Sequence, residues 1–261
     1  MKKIPQDIVG DIAILKFPRR TLWITKKLKA KKFLRKHKTV KTVLEKTRSF
    51  SGRLRTLSTK HLAGIKTKEA IYKENNCIFK FNVDESYFSP RLSNERKVIA
   101  DEVEKLTKKK GTKILVMFAG IAPYPIVIAK RLKQNKKESN IISNELNRKA
   151  NNDAKKIITL NKLQKKITLI GGDAKKLPNK IKEKQDIILM PRPNLKDTFL
   201  KTALKLSKKG TIIFYHGFGT KESVLEEIKK DTKGKIGKIK IRKAGDIGPY
   251  IYRWQAQFKV D

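Results

Sequence analysis

Cysteine is almost absent from this chain. Cys77 is the single thiol in 261 residues, which excludes an internal disulfide and any multi-cysteine metal site. His37, His61 and His216 lie far apart and show no metal-ligand spacing, so no metal is expected. Long apolar runs are missing as well, and none is long enough to cross a bilayer. The opening MKKIPQDIVGDIAILKF puts acids and a proline where a signal peptide needs uninterrupted apolar residues. A monomer in a reducing cytoplasm, away from membranes, is the expectation. Acid is the third scarcity: 24 Asp and Glu face 65 Lys and Arg, a net charge of +41. Such a surface repels itself, and a polyanion that neutralises it gains affinity by counterion release. A lysine bias from adaptation to heat would raise Glu together with Lys. A membrane-surface protein would show a basic amphipathic helix with a clean apolar face, and none stands out. Nucleic acid is the expected partner.

The regular pattern begins with DIVGDIAILKF, residues 7–17, which alternates like a strand pair broken at Gly10. Between Lys26 and Arg55, spaced Leu, Val and Phe among many Lys and Arg predict a basic helix. EAIYKE and CIFKFNV predict two short strands in a small second module. Ser93 is then read as the N-cap of a helix running to Gly111. After Gly111, apolar runs such as KILVMFA, KITLIGGD, QDIILM and GTIIFYHGF alternate with helical stretches, followed by late strands KIKIRKA and YIYRWQAQFKV. This predicts an α/β, Rossmann-like core with a mostly parallel sheet, whose ligand sits where the strand order switches. The expected units are residues 1–56, a basic α+β module; 57–110, a linking subdomain; and 111–261, the core.

Glycine-rich signatures are also missing. The turn after the first core strand, Phe118-Ala119-Gly120-Ile121-Ala122-Pro123-Tyr124-Pro125, keeps one glycine where a dinucleotide fingerprint has three, and no G-K-[ST] is present for a P-loop. Small residues there still let a ligand approach the backbone. The prolines fall in the first turn of the following helix, where N–H groups have no intrahelical partner to lose. The second strand ends at Glu145-Leu146, an acid placed to accept from ribose hydroxyls. The third ends at Gly171-Gly172-Asp173-Ala174, where Asp173 can accept from an adenine amino group, and the fourth at Met190-Pro191-Arg192-Pro193. Four strand ends of this kind predict a nucleoside cofactor without phosphates, S-adenosyl-L-methionine.

SYFSPRLSNERKVIA, VMFAGIAPYPIVIAKRL, NELNRKANNDAKKIITLNKL, IGGDA, ILMPRP and TIIFYHGF together resemble the archaeal and eukaryotic tRNA (guanine-37-N1)-methyltransferase family, and the likeness runs nearly end to end. The resemblance implies a class I methyltransferase core with an added tRNA-recognition domain that holds the tRNA body while the anticodon-loop purine enters the site. It further implies Arg96 at the cofactor's carboxylate, Arg91 at guanine O6 or a phosphate, Arg192 or backbone carbonyls orienting the target base, and Glu145 and Asp173-Ala174 at the nucleoside. Phe118, Gly120, Tyr124 and Leu146 complete the cofactor site, and Pro191 turns its carbonyl to the methyl donor beside Pro193. Tyr87, Phe88 and Tyr124 are candidates to stack on the target base. Most members read D-x-F-A-G-V-G-P and N-L-P where this chain has VMFAGIAP and PRP. Those forms resemble an archaeal branch linked to wyosine synthesis, some of whose members also methylate C7 of the tricyclic precursor. Transfer of the aminocarboxypropyl group of the same cofactor, and non-catalytic RNA binding on a decayed fold, are the competing readings. The acids at the strand ends argue against decay.

Overall fold

A computed structural model describes residues 4–52, 54–108, 111–248 and 250–261. The N-terminal alternation folds as the expected strand pair, β1 (Gln6–Val9) and β2 (Ile12–Leu15), turning at Gly10. Gly10 has φ +58°, and an added Cβ would lie 1.9 Å from the carbonyl oxygen of Ile71, so glycine is needed for close approach as well as conformation. Asp11 Oδ1 accepts the Ile71 N–H at 2.9 Å across the same junction. Helix α1 (Trp23–Lys36) then crosses to β3 (Thr42–Ser51), parallel to β2, and β4 (Thr56–Gly64) closes an antiparallel edge. Ala13, Leu15, Ala30, Val43 and Leu62 form the small core between helix and sheet.

Two expectations change here. The basic helix expected from Lys26 to Arg55 ends at Lys36, and the rest is β3 and its turn. Val40, Thr42 and Val43, stiff at χ1, are buried in the sheet layer and override the helical spacing of the lysines. The boundary expected after residue 56 falls at the first residue of β4, whose pairing with β3 carries the N-terminal sheet to Gly64.

The second module is the hairpin β5 (Glu69–Glu74) and β6 (Cys77–Asn82). Its two-residue turn, Asn75-Asn76, has φ of 47° and 58°, the left-handed pair that matches strand twist. Phe79 and Phe81 of β6 pack on Phe88, which leads into α2 (Ser93–Leu106). Ser93 is the first helical residue and not the cap: Leu92 holds the cap position without a side-chain bond, because the 3-10 turn Pro90–Leu92 feeds directly into the helix.

The core alternates β7 (Thr112–Val116), α3 (Pro123–Gln134), β8 (Ser139–Glu145), α4 (Arg148–Leu160), β9 (Ile167–Gly171), α5 (Leu177–Lys180) and β10 (Gln185–Met190). It continues with α6 (Leu200–Leu206), β11 (Ser207–Gly219), α7 (Lys221–Thr232), β12 (Lys240–Gly248) and β13 (Ile251–Lys259). The seven-stranded sheet has the order β12-β13-β11-β10-β7-β8-β9, parallel except for β13, which runs antiparallel to both its neighbours. The order switches between β7 and β10. Helix α7 is an element the sequence reading did not register; Thr220 caps it by accepting the Ser223 N–H at 3.2 Å. No helix among the described residues is long and apolar enough to cross a membrane.

One buried ion pair joins the units. Arg96 of α2 is 1% exposed; its Nε and Nη2 donate to the two carboxylate oxygens of Glu74 on β5, and Nη2 also donates to the Ser89 carbonyl at 3.0 Å. Its guanidinium lies over the Phe88 ring, 4.9 Å from the centroid. Removing one partner leaves a buried charge alone, so Arg96→Met is expected to lower unfolding free energy by about 3–5 kcal/mol. Arg96→Met combined with Glu74→Met should recover most of that loss. Urea denaturation of both variants checks this, and a single variant as stable as wild type would contradict it.

Candidate active site

The loop between β7 and α3 is built under strain. Phe118, Gly120 and Ala122 have φ of 57°, 57° and 62°, a conformation that Phe and Ala adopt at a cost. Two contacts hold it: the Gly120 N–H donates to Glu145 Oε2 at 2.7 Å, and the Ala119 N–H to the Asn144 carbonyl at 2.8 Å. An added Cβ at Gly120 would come 3.4 Å from the Tyr87 carbonyl oxygen, so the loop also abuts the segment before α2. Over these strand ends lies a cavity of about 740 Å³, inside the range of roughly 300–1,000 Å³ for small-molecule sites.

One pole of the cavity is acidic. Glu145, at the end of β8, accepts the Gly120 N–H on Oε2 and the Asn147 N–H on Oε1 at 2.8 Å, which fixes its carboxylate and leaves a lone pair on each oxygen. Asn144, buried beside it, donates to the carbonyls of Ile170 and Gly172 and so holds the ends of β8 and β9 together. Asp173 follows, accepting the Lys175 N–H at 2.9 Å, with Ala174 buried behind it. Leu146 and Phe118 supply apolar wall, and Phe199 meets the Phe118 ring edge-on at 4.9 Å. Fixed acceptors between apolar surfaces suit hydroxyl and amino donors and disfavour phosphates, and this donor set fits the nucleoside of S-adenosylmethionine. Across the sheet switch, Pro191 and Pro193 line the facing wall.

The arginines are disposed differently from the sequence expectation. Arg96, expected at a cofactor carboxylate, spends its Nε and Nη2 on Glu74 and Ser89. Arg192, expected at the base, is 4% exposed; its Nη1 donates to the Leu195 carbonyl at 2.8 Å and its Nη2 to Glu227 at 2.9 Å, so it shapes the loop after β10. Arg91 stands at the rim and reaches outward to Asp7 Oδ1 at 2.6 Å. Phe88, a stacking candidate, is buried with Tyr72, Phe79 and Phe81 in the linking core. Tyr87 does line the cavity, its ring covered by Arg55 at 4.4 Å. Tyr124 lines it too, 4% exposed, and burial pushes its phenol well above the ordinary range.

Sequence reasoning missed several wall residues. Asn147 looks like an ordinary helix cap, and it does cap α4, but its Nδ2 also donates to the Glu85 carbonyl at 2.8 Å and so ties the core to the linking segment. Phe199 reads as the first apolar residue of a helix, and Arg253 sits in an alternating strand among Tyr and Trp. Only the return of β13 beside β11 brings Arg253 to the cavity next to Phe218.

Burial pushes the Glu145 carboxyl above its ordinary 4.5, against the N–H groups of Asn147, Gly120 and Leu146, which favour the ionised form. As pH falls, Glu145 therefore takes up its proton earlier than a free glutamate does, and loses acceptor capacity. Adenosine affinity is expected to fall with acidification at a pH above the ordinary carboxylate range, and to stay flat there in Glu145→Gln. Calorimetric titrations of both proteins across that range check it; parallel curves would refute the assignment.

Two family models match the chain: the TRM5/TYW2 methyltransferase domain over residues 70–241, and the TYW2 N-terminal domain over residues 4–67. The chain is similar to tRNA (guanine(37)-N(1))-methyltransferase Trm5b of Pyrococcus abyssi, at 32% identity over 82% of this chain and 59% of that one. It is also similar to tRNA (guanine(37)-N(1))/4-demethylwyosine(37)-methyltransferase Taw22 of Nanoarchaeum equitans, at 33% identity over 95% of this chain and 96% of the relative. It thus spans about three fifths of the Pyrococcus protein and nearly all of the Nanoarchaeum one. The solved structure of Methanocaldococcus jannaschii Trm5 in complex with adenosine superposes with a TM-score of 0.80 at 26% identity, over 99% of this chain and 74% of that one. Both domain matches and the relatives agree: the chain belongs to the TRM5/TYW2 methyltransferase family.

Proposed function

We propose that this protein methylates N1 of guanosine 37 in tRNA with S-adenosylmethionine, and that it also methylates C7 of the tricyclic wyosine precursor formed at that position. The observation that carries the reading is the two-sided cavity, with fixed acceptors at Glu145 and Asp173 on one side and the rigid Pro191-Arg192-Pro193 segment on the other. Bound S-adenosylmethionine supplies an electrophilic methyl group on its sulfonium. Glu145 and Asp173 hold the nucleoside by its hydroxyl and amino donors, and the strained Phe118–Ala122 turn keeps the floor small enough for close approach. Pro191 presents its carbonyl without a competing N–H, and Arg192, pinned to Glu227, keeps that segment in place. Tyr87, with Arg55 over its ring, is the aromatic residue of the cavity wall nearest to where a base drawn from the anticodon loop would enter.

The tRNA-holding unit in this reading is residues 4–64, the full extent of the N-terminal sheet, with β5, β6 and α2 linking it to a catalytic core from residue 111. Lys27, Lys31, Lys32 and Arg35 stand exposed along α1, suited to phosphates. The reading takes the protein to act as a cytoplasmic monomer. Transfer of the cofactor's aminocarboxypropyl group is the second reading, favoured by the N-terminal match to the TYW2 domain.

Incubation with guanosine-37 tRNA and methyl-labelled cofactor is expected to yield labelled N1-methylguanosine in nucleoside digests. Asp173→Ala, which removes a hydrogen bond to a charged group, should lower kcat/KM by about ten- to a hundredfold. RNA that gains label only from cofactor marked in the amino-acid arm would replace the first reading with the second.

A further inference from the structure

The β12–β13 ribbon carries side chains that neither the core nor the turn explains. Its turn lies between Gly248 and Ile251, which face each other in the pairing, and Tyr250 in that turn is 85% exposed, the most exposed large apolar residue among those described. Its φ is 57°, a left-handed conformation that is strained for a bulky residue and that Gly or Asn adopts freely. No packing offsets that strain, so it points to a role outside the fold. Ile247 and Ile251 on either side are 49% and 46% exposed. The ribbon is also aimed at the site. Gly219, the last residue of β11, pairs with Tyr252, so the turn projects past the C-terminal ends of the parallel strands, where the cavity opens. The β12 register shifts between Lys243 and Gly245 and again between Asp246 and Gly248, irregularities of the kind that re-aim side chains beside active sites, and Ala244 to Ile247 line the cavity. Ile247 is both cavity wall and exposed surface, and so marks the rim.

Place and chemistry together say what the tip meets. β12 is the edge strand five places from β8, roughly 24 Å from Glu145 at a strand spacing of about 4.8 Å, so the tip stands clear of the nucleoside pole. Lys243 braces it, its ammonium 3.8 Å from the Tyr252 ring centroid and 2.6 Å from Asp246 Oδ1, and Lys238 and Lys240 stand exposed at the start of the strand. Three side chains are far too few for a stable protein interface, which buries roughly 1,200–2,000 Å², and the lysines would repel a second copy of the chain. An aromatic ring between aliphatic side chains on a basic ribbon is the chemistry of a base-stacking platform. A target base drawn into the cavity leaves its neighbour in the RNA with one face unstacked. We propose that Tyr250, flanked by Ile247 and Ile251, stacks on the nucleobase next to the target nucleotide and replaces the partner that base has lost. This rests on the methyltransferase reading above, and makes the ribbon a support for the RNA with its target base withdrawn.

The test measures the Kd for tRNA, with S-adenosylhomocysteine present, of wild type, Tyr250→Ala and Tyr250→Phe. The ligands are guanosine-37 tRNA and the same tRNA made abasic at position 36 or at position 38. Loss of one base–ring stack should weaken binding of the intact tRNA by about five- to a hundredfold in Tyr250→Ala, while Tyr250→Phe, which keeps the ring, should stay close to wild type. The penalty should vanish on the tRNA that is abasic at the stacked position and persist on the other, a coupling that a merely structural role does not produce. Affinity for S-adenosylhomocysteine and the melting temperature should match wild type in both variants. An unchanged Kd in Tyr250→Ala, the same penalty on all three RNAs, or a wild-type dimer that Tyr250→Ala converts to monomer would overturn the proposal. Wild type that shows the coupling yet leaves guanosine 37 unmethylated would sink the methyltransferase reading alone, with the stacking contact upheld.

Discussion

The guanidinium of Arg96 sits where three pieces of chain meet, and the cavity depends on its having nowhere else to go. Glu74 brings the β5–β6 hairpin to it, Ser89 brings the segment before α2, and α2 carries it into the core. A charge this deeply buried is tolerable only with its partner in place, so the geometry of the linking segment is set with little latitude. That segment supplies Tyr87, Ser89 and Arg91 to the cavity wall. The site is therefore shared between linker and core, and Asn147, bonded to Glu85 from the core side, repeats the same coupling.

With most arginines paired off, the cavity acquires a polarity that the overall charge of +41 does not suggest. Fixed acceptors gather at the ends of β8 and β9, while a cation without an acidic partner among the described residues is left at β13. The strained turn between them is held by its own N–H groups donating to the Asn144 carbonyl and the Glu145 carboxylate on β8, so strain and binding residue share one support. Proline at positions 123 and 125 costs the first turn of α3 no intrahelical bond and stiffens the approach to Tyr124.

Much of this was legible in the sequence because it is local. The strand ends bearing Gly120, Glu145, Asp173 and Pro191 follow from apolar runs and the residues that close them, and the parallel sheet sets them side by side. Partner choice was not legible. Arg96 meets Glu74 22 residues away, Glu95 meets Arg242 147 residues away, and Arg192 meets Glu227 on α7, a helix the sequence pattern does not reveal. An arginine near a site looks the same in sequence whether it is free or paired, and this is why Arg96 and Arg192 were expected at ligands and Arg253 was overlooked. The helix expected from Lys26 to Arg55 failed for another reason: lysine spacing reports solvent exposure, and the buried Val40, Thr42 and Val43 decide the strand.

The central claim is that the acidic pole takes a nucleoside without phosphates. Displacement of bound S-adenosylhomocysteine tests it directly, at an ionic strength that screens the basic surface. Adenosine should displace the ligand with one-to-one stoichiometry, and ATP should fail to do so. Displacement by ATP as effective as that by adenosine would contradict the account.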